Sequence, residues 1–413
     1  MCLKEPDLSS QRSISIGTRR RTAVPPALSL AGTAVAFMSL YLGAGALTPL
    51  LVNYKDRFDF APEMLNVAFA VYAAGFLVAV LVFGSLSDFV GRRPVLIAGL
   101  IVQLGSNVLF LTATDVNAVI AGRIVQGLAS GAATAAFTAA MVELSPERNK
   151  RLGAILGSIS LTGGLALGSV LAGFTIELTP AANTVIFAVL IVLTVLGVVV
   201  AILSPETGRQ NPGALRSLIP RIAVPSAART EFLAAAPVVA AVWMLAGLSG
   251  GLAPNMVRSV FGIDSPSLGG IAGFIAPAVS TVIGVVFAKV ASRHAMVIGI
   301  YASLLGAAAI IGGVFAGSLG LMLIGQAIAG IGFGSSFTAA LQLLIPLVLP
   351  QQRAGIVAAV YIVAYTAFGL PIVIEGQIAG PLGEIPAVVC YTSLTILLAL
   401  ISLIAQARIA RRA

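Results

Sequence analysis

Twelve apolar runs of about 20 residues dominate the sequence, at approximately 28–52, 65–87, 95–113, 118–142, 152–175, 184–203, 233–253, 268–288, 295–315, 318–345, 355–375 and 386–407. At a rise of about 1.5 Å per residue, each is long enough as a helix to cross a hydrocarbon core about 30 Å thick. The runs are too long for strands and lack the alternation of a membrane barrel. Helices remain as the way to satisfy the backbone in lipid, so the chain reads as an all-α integral membrane protein with twelve transmembrane helices. Composition agrees, with 9% of the 413 residues charged against about a quarter in soluble domains. One His and two Cys leave zinc clusters, thiol relays and His-based catalysis without the residues they need. The net charge of +9 comes with no basic patch interleaved with aromatics, so no nucleic-acid partner is expected.

With the amino terminus inside, 20 of the 24 Lys and Arg fall in inner segments, Lys55, Arg57 and Arg258 fall outside, and Arg123 lies within helix 4. That bias orients both termini and the long central loop toward the cytoplasm, and one miscounted helix would scramble it. Arg19-Arg20-Arg21 before an apolar run imitates a secretory signal, but the run continues to about Val52 without a convincing cleavage site, so it reads as helix 1. A Cys2–Cys390 disulfide would have to join a tail to a membrane helix and is not expected.

The chain divides into a cytoplasmic tail (1–27), a six-helix bundle (28–203), a Pro- and Arg-rich cytoplasmic linker (204–232), a second six-helix bundle (233–407) and a short cytoplasmic tail (408–413). Across the linker the halves echo each other. Gly84 and Arg93 align on Gly284 and Arg293, and Phe137-Thr138-Ala139-Ala140 on Phe337-Thr338-Ala339-Ala340, at an offset of 200. Arg151-Leu152-Gly153 repeats as Arg353-Ala354-Gly355. Two homologous bundles with even helix numbers are parallel and pseudo-symmetric, with substrate expected between them.

At the inner end of helix 2 stands Gly84-Ser85-Leu86-Ser87-Asp88-Phe89-Val90-Gly91-Arg92-Arg93. Gly84 suits a close helix approach, and Gly91 a turn closed to residues with a Cβ. Topology alone would explain Arg92 and Arg93, but not Asp88 and the glycines. The run resembles the signature of the major facilitator superfamily between helices 2 and 3, G-x-L-x-D-x-x-G-R-[RK], and the helix layout fits over residues 28–407. The resemblance implies the major facilitator fold, with Asp88 near the positive amino-terminal end of helix 11, tying the bundles together on the inside. It further implies a cytoplasmic ion-pair gate of Gly84, Asp88, Gly91, Arg92, Arg93, Glu143, Arg151 and Arg353, in which Arg92 and Arg93 meet Glu143 and Arg151 opens helix 5.

Arg123, in Arg123-Ile124-Val125-Gln126-Gly127, is similar to the family's helix 4 pattern R-x-x-Q-G. A charge at a helix centre costs about 2.5–3.5 kcal/mol on insertion scales, which argues for a function. It lies close enough to the outer end to snorkel as the alternative. The resemblance associates Arg123 with substrate or proton coupling; Gln326 takes the matching place in helix 10, so the second half has lost this role. Helix 5 carries Gly153, Gly157, Gly163, Gly164, Gly168 and Gly173, similar to the glycine motif of drug:proton antiporters but without a Pro after Gly163, and close packing explains most of them. Ser204-Pro205-Glu206-Thr207-Gly208 is similar to the closing element after helix 6 in many relatives.

The family architecture implies a cavity walled by helices 1, 2, 4, 5, 7, 8, 10 and 11. There Tyr41, Asn53, Tyr72, Gln126, Trp243, Asn255, Gln326, Tyr361 and Tyr365 are candidates for solute contact, each alone equally explained by packing. Helix 1 has no acid between Leu28 and Val52, so Glu375 in helix 11 is the remaining coupling carboxylate, unless it is a wetted rim residue. The expected function is secondary active transport of a small lipophilic or neutral solute by alternating access, as proton-coupled efflux. The other readings are an uptake symporter or facilitator on the same fold and, more remotely, a membrane sensor or enzyme. Paired carboxylates or an activated nucleophile would mark an enzyme, and none is seen. No GxxxxGK[ST] loop is present to use ATP, so the expected partners are protons, the lipid bilayer and a small-molecule substrate, with no cofactor. The chain reads as a monomer of a bacterial cytoplasmic (inner) membrane.

Overall fold

The structure, a computed structural model, describes residues 25–208, 210–220, 222–287 and 290–411. Twelve of the described helices are long and apolar enough to span a membrane. They are α1 Pro26–Phe58, α2 Pro62–Phe83, α3 Arg92–Leu111, α4 Val116–Leu144, α5 Arg151–Leu178, α6 Ala182–Leu203, α7 Ser226–Ser259, α8 Pro266–Val286, α9 Ser292–Phe315, α10 Leu319–Leu347, α11 Arg353–Leu382 and α12 Glu384–Ala410. Most of the predicted amino-terminal tail, with Cys2 and Arg19–Arg21, lies outside the described residues. What is described of it is already the start of α1, with Pro26 at a first-turn position where its missing N–H costs no helical bond.

Several helices outrun their apolar cores. α1 and α7 have 33 and 34 residues, well beyond the roughly 20 that lipid requires, because polar residues such as Lys55, Arg57 and Arg258 continue the helix into water. α7 begins at Ser226, inside the segment expected to be linker, and α12 runs through Arg408. α5 and α7 each contain one π-helical turn, Ile159–Gly163 and Leu248–Leu252.

Burial is inverted relative to a soluble domain. Gln103, Asn107, Arg123, Gln126, Thr194, Glu231 and Glu375 are buried, whereas Val189, Val192, Leu196 and Val199 of α6 are exposed. Only a hydrocarbon surround makes that arrangement stable. The chain is a multi-pass membrane protein.

The two halves use the same packing scheme. α1 packs on α4, α5 and α6, as α7 packs on α10, α11 and α12; α2 meets α4 as α8 meets α10; α3 meets α4 and α6 as α9 meets α10 and α12. The halves join along two seams, α2 with α11 and α5 with α8. An even number of crossings puts the described chain ends on one face, termed here the terminal face; the opposite one is the distal face.

Small residues make the close contacts possible. A Cβ on Gly168 of α5 would lie 2.0 Å from the Leu42 carbonyl oxygen of α1, within the first bundle. On Gly173 it would lie 2.6 Å from the Pro266 carbonyl oxygen, across the α5–α8 seam near the distal face. The structure thus gives the helix 5 glycines a packing role at two levels. Gly168→Val should lower the melting temperature, overpacking costing about 1–3 kcal/mol. Gly173→Val should leave it nearly unchanged while raising labelling of a cysteine placed on the distal seam; equal effects of the two substitutions on melting would contradict this division.

Candidate functional site: a central cavity between the bundles

A cavity of about 90 Å³ lies where the halves meet, and its walls come from α1, α2, α4, α5, α7, α8, α10 and α11. These are the eight helices expected to surround it. Tyr41, Tyr72, Arg123, Trp243 and Tyr365 line it. Gln126, Gln326, Tyr361 and Asn53 do not lie on its wall. Gln126 instead accepts from Arg123, Gln326 Oε1 accepts from the Ser249 hydroxyl at 3.0 Å, Tyr361 stacks on Tyr365, and Asn53 falls near the distal end of α1.

Arg123 is 2% exposed, which excludes snorkelling. Its Nε donates to Ala68 O at 3.0 Å, Nη1 to Gln126 Oε1 at 2.7 Å and Nη2 to Phe69 O at 3.4 Å. Its Cζ sits 4.5 Å from the centre of the Tyr72 ring, close enough for a cation–π contact. The head group is held by carbonyl oxygens and a ring face, six residues into α2, and points inward.

The second bundle supplies an aromatic wall. The Trp243 ring lies 4.6 Å from Tyr365 and 5.2 Å from Phe333, between centroids. Two aromatic pairs cross the α2–α11 seam, Phe76 stacked on Tyr365 at 4.1 Å and Phe69 tilted against Phe368 at 4.9 Å.

The distal side is held shut by polar contacts between halves. Arg258 of α7 pairs with Asp56 of α1 at 2.6 Å. Glu177 at the end of α5 accepts from Ser265 Oγ and from the Ser267 N–H in the first turn of α8, where the helix dipole favours an anion. Asn66 Nδ2 of α2 donates to Glu375 Oε2 of α11 at 3.0 Å. Glu375 is 3% exposed, so it lies behind the rim rather than on it. It lines a second cavity of about 110 Å³ on the distal side of the central one, with Glu63, Glu384 and Asn255.

On the terminal face Arg92 is the hub. Nη1 donates to Asp88 Oδ1 at 2.5 Å and Nη2 to Glu143 Oε1 at 3.1 Å. These partners all belong to the first bundle, so Asp88 does not tie the bundles together; its side chain turns to Arg92 rather than to the start of α11. Gly84 closes the end of α2 with its N–H on Val80 O at 3.0 Å, rather than admitting another helix. Arg93 contributes only its backbone, and Arg151 and Arg353 join none of the ion pairs among the described residues.

Glu206, expected only as part of a closing element, locks this face. α3 starts at Gly91-Arg92-Arg93 with no side chain to cap it. The Glu206 carboxylate fills that place from the linker, accepting from Arg92 N at 2.7 Å, Arg93 N at 3.1 Å and Gly208 N at 2.8 Å. Gly91 has φ +97°, and a Cβ there would lie 2.5 Å from Glu206 Oε2, so conformation and space both demand glycine. Thr207 adds a 2.6 Å bond to Glu143. The uncapped, positive start of α3 was the available signal. In the second bundle the same face is pinned by Arg293, which grips both oxygens of Glu231 at 2.8 Å and also bonds Gln406.

The sequence profile described as Major Facilitator Superfamily matches residues 33–373. The chain belongs to the major facilitator superfamily. Within it, the inner membrane transport protein YajR of Escherichia coli (strain K12) is 31% identical over 120 residues, 29% of this chain and 26% of that protein. The multidrug resistance protein MdtL of Citrobacter koseri is 40% identical over 67 residues, 16% and 17% of the two chains. The match thus spans about a quarter or less of those relatives. A solved peptide transporter POT in complex with alafosfalin shares the fold, with a TM-score of 0.74 at 15% identity over 93% of this chain and 94% of that one. Relatives and fold neighbours are transporters, not enzymes.

For this member of the superfamily, Glu206→Gln should keep helix content but speed limited proteolysis of the linker several-fold, since an exposed charge-assisted cap contributes about 1 kcal/mol. Unchanged cleavage would show that the linker is held elsewhere.

Proposed function

We propose that the protein is a secondary active transporter that expels a small lipophilic solute across the cytoplasmic (inner) membrane in exchange for protons. The observation that carries this reading is the cavity between two parallel bundles, walled by both and sealed on the distal side by contacts between them. Rocking the bundles about that cavity would break the seal and expose the site to the other side. The excess of Lys and Arg that the sequence assigns to the terminal face supports a cytoplasmic place for that face and both chain ends. The structure therefore corresponds to a state shut toward the outside. Efflux is favoured by the multidrug-resistance name of one relative and the apolar cavity wall. The cavity is complete within one chain, in keeping with a monomer.

Glu375 is the coupling carboxylate in this proposal. It sits on the α2–α11 seam, hydrogen-bonded across it, so parting the distal side strips away Asn66 and admits water. Proton exchange is thereby tied to the gate rather than to the solute pocket. The Asp88–Arg92–Glu143 cluster acts at the cytoplasmic face by keeping the inner ends of α2, α3 and α4 together as one rigid body during rocking.

In everted vesicles with a pH-sensitive dye, a transported solute should release protons from wild type. Glu375→Gln should abolish that release while solute binding persists; an unaltered release would remove Glu375 from the coupling role. Asp88→Asn should express normally but lower transport a few-fold, since its pair with Arg92, half-exposed at Asp88, is worth about 0–1 kcal/mol. Unchanged rates would rule out the cytoplasmic role of that cluster.

A further inference from the structure

Resting on the transport reading above, we propose that the central cavity takes a lipophilic organic monoanion, whose acidic group is the missing counter-charge of Arg123. Its solute would then be acidic rather than neutral.

Arg123 is the one charged side chain on the wall of the cavity, and its guanidinium stays positive under cellular conditions. The ion pairs among the described residues leave it out. Its contacts, to two carbonyls, one amide and the Tyr72 ring, place dipoles and a π face around it but no opposite charge. A buried cation normally has an anionic partner. The nearest place for one is the cavity itself.

A second observation points the same way. Trp243 is 8% exposed, lines the same cavity, and its Nε1–H has no acceptor. Indole nitrogen only donates, so a donor without a partner stands in the same wall as a cation without a counter-charge. On the wall, the Tyr41 hydroxyl is bonded to Thr134 and that of Thr162 to Thr281. Phe69, Tyr72, Phe333, Tyr365 and Phe368 supply apolar and aromatic area for the rest of the solute. One cation calls for one negative charge, and the apolar remainder of the wall disfavours a small hydrophilic anion. The cavity of about 90 Å³ is smaller than the 300 Å³ or more typical of drug-sized sites, so the solute enters as the bundles part.

The protein carries its own reporter, since Trp243 is the sole tryptophan. Its fluorescence in protein reconstituted into liposomes can be titrated with matched acid, amide and amine triplets on tert-butylphenyl, cyclohexyl and decyl scaffolds. On at least one scaffold the acid should bind about tenfold more tightly than the amide, and the amine more weakly still. Arg123→Gln should erase the preference for the acid, and Arg123→Lys should retain part of it. The proposal is overturned if amide or amine binds as tightly as the acid on every scaffold, if no acid binds, or if Arg123→Gln leaves the acid preference intact. The wild-type comparison needs no variant, so a misfolded Arg123→Gln would not spoil it. Cellular efflux of neutral or cationic compounds together with a failed acid preference would remove the anion assignment and leave transport standing. Preferential acid binding without any transport of those acids would do the reverse.

Discussion

Hydrocarbon gives a polar group no partner, and this one constraint orders the whole molecule. A helix satisfies its own backbone, but every polar side chain in the span has to turn inward and find a neighbour there. The first bundle shows how far this goes. Tyr54 donates to Asn183 at 2.5 Å, Asn107 to Thr194 at 3.2 Å and Gln103 to Asn107 at 2.9 Å, joining α1, α3 and α6 through side chains that an outward orientation would leave unsatisfied. Apolar side chains are left for the lipid. Bundle identity is therefore set by polar complementarity as much as by apolar packing, because lipid tails compete with leucine for leucine.

The seams between bundles are built differently from the bundles themselves. Within a bundle, glycines bring backbones into contact along much of a helix, as at Gly45 and Gly168 between α1 and α5. Across the α2–α11 seam the contacts are aromatic pairs at mid-depth and one side-chain hydrogen bond near the distal face. Across α5–α8 they are a glycine pair near the distal face and a threonine pair, Thr281 on Thr162 at 2.8 Å. Contacts of this kind separate and re-form without disturbing a helix. The distal ion pair of Arg258 with Asp56 is half-exposed on both sides, and an exposed pair is worth about 0–1 kcal/mol, a weak latch suited to repeated opening.

The fold was legible because hydrophobic length and cation placement are properties of single segments. The twelve spans follow from these, the parallel halves from the repeat at an offset of 200, and the eight cavity helices only from the family resemblance. Side-chain partnerships could not, since they depend on helix rotation and depth. Arg123 and Gln126 were recognisable as a pattern, but not that Gln126 serves Arg123 instead of the solute. Glu375 looked like a rim residue because it lies only seven residues before the end of α11 at Leu382; it is buried because α2 and Asn66 cover it. The linker's Pro and Arg content predicts a mere connection, whereas Glu206 returns to cap α3. A lone carboxylate in a polar loop carries no mark of the helix end that it fills.

The two halves share a scheme of helix contacts, and their differences locate the specialised chemistry. At the constant offset of 200, Gln326 corresponds to Gln126 and Leu323 to Arg123, which corrects the expected match of Gln326 with Arg123: the second half keeps the amide and lacks the cation. Gln326 then serves Ser249 in the π turn of α7, a bond that braces the wall opposite Arg123. The same divergence recurs on the terminal face. There Arg92 draws its acids from the α2–α3 turn and α4, whereas Arg293 draws Glu231 from α7. Each bundle needs a pinned arginine at that face, but only the first places a cation beside the cavity. The cation therefore belongs to the first bundle while aromatic rings come from both, and under the anion proposal the solute would turn its charged end toward α4 and its apolar end toward α7 and α11.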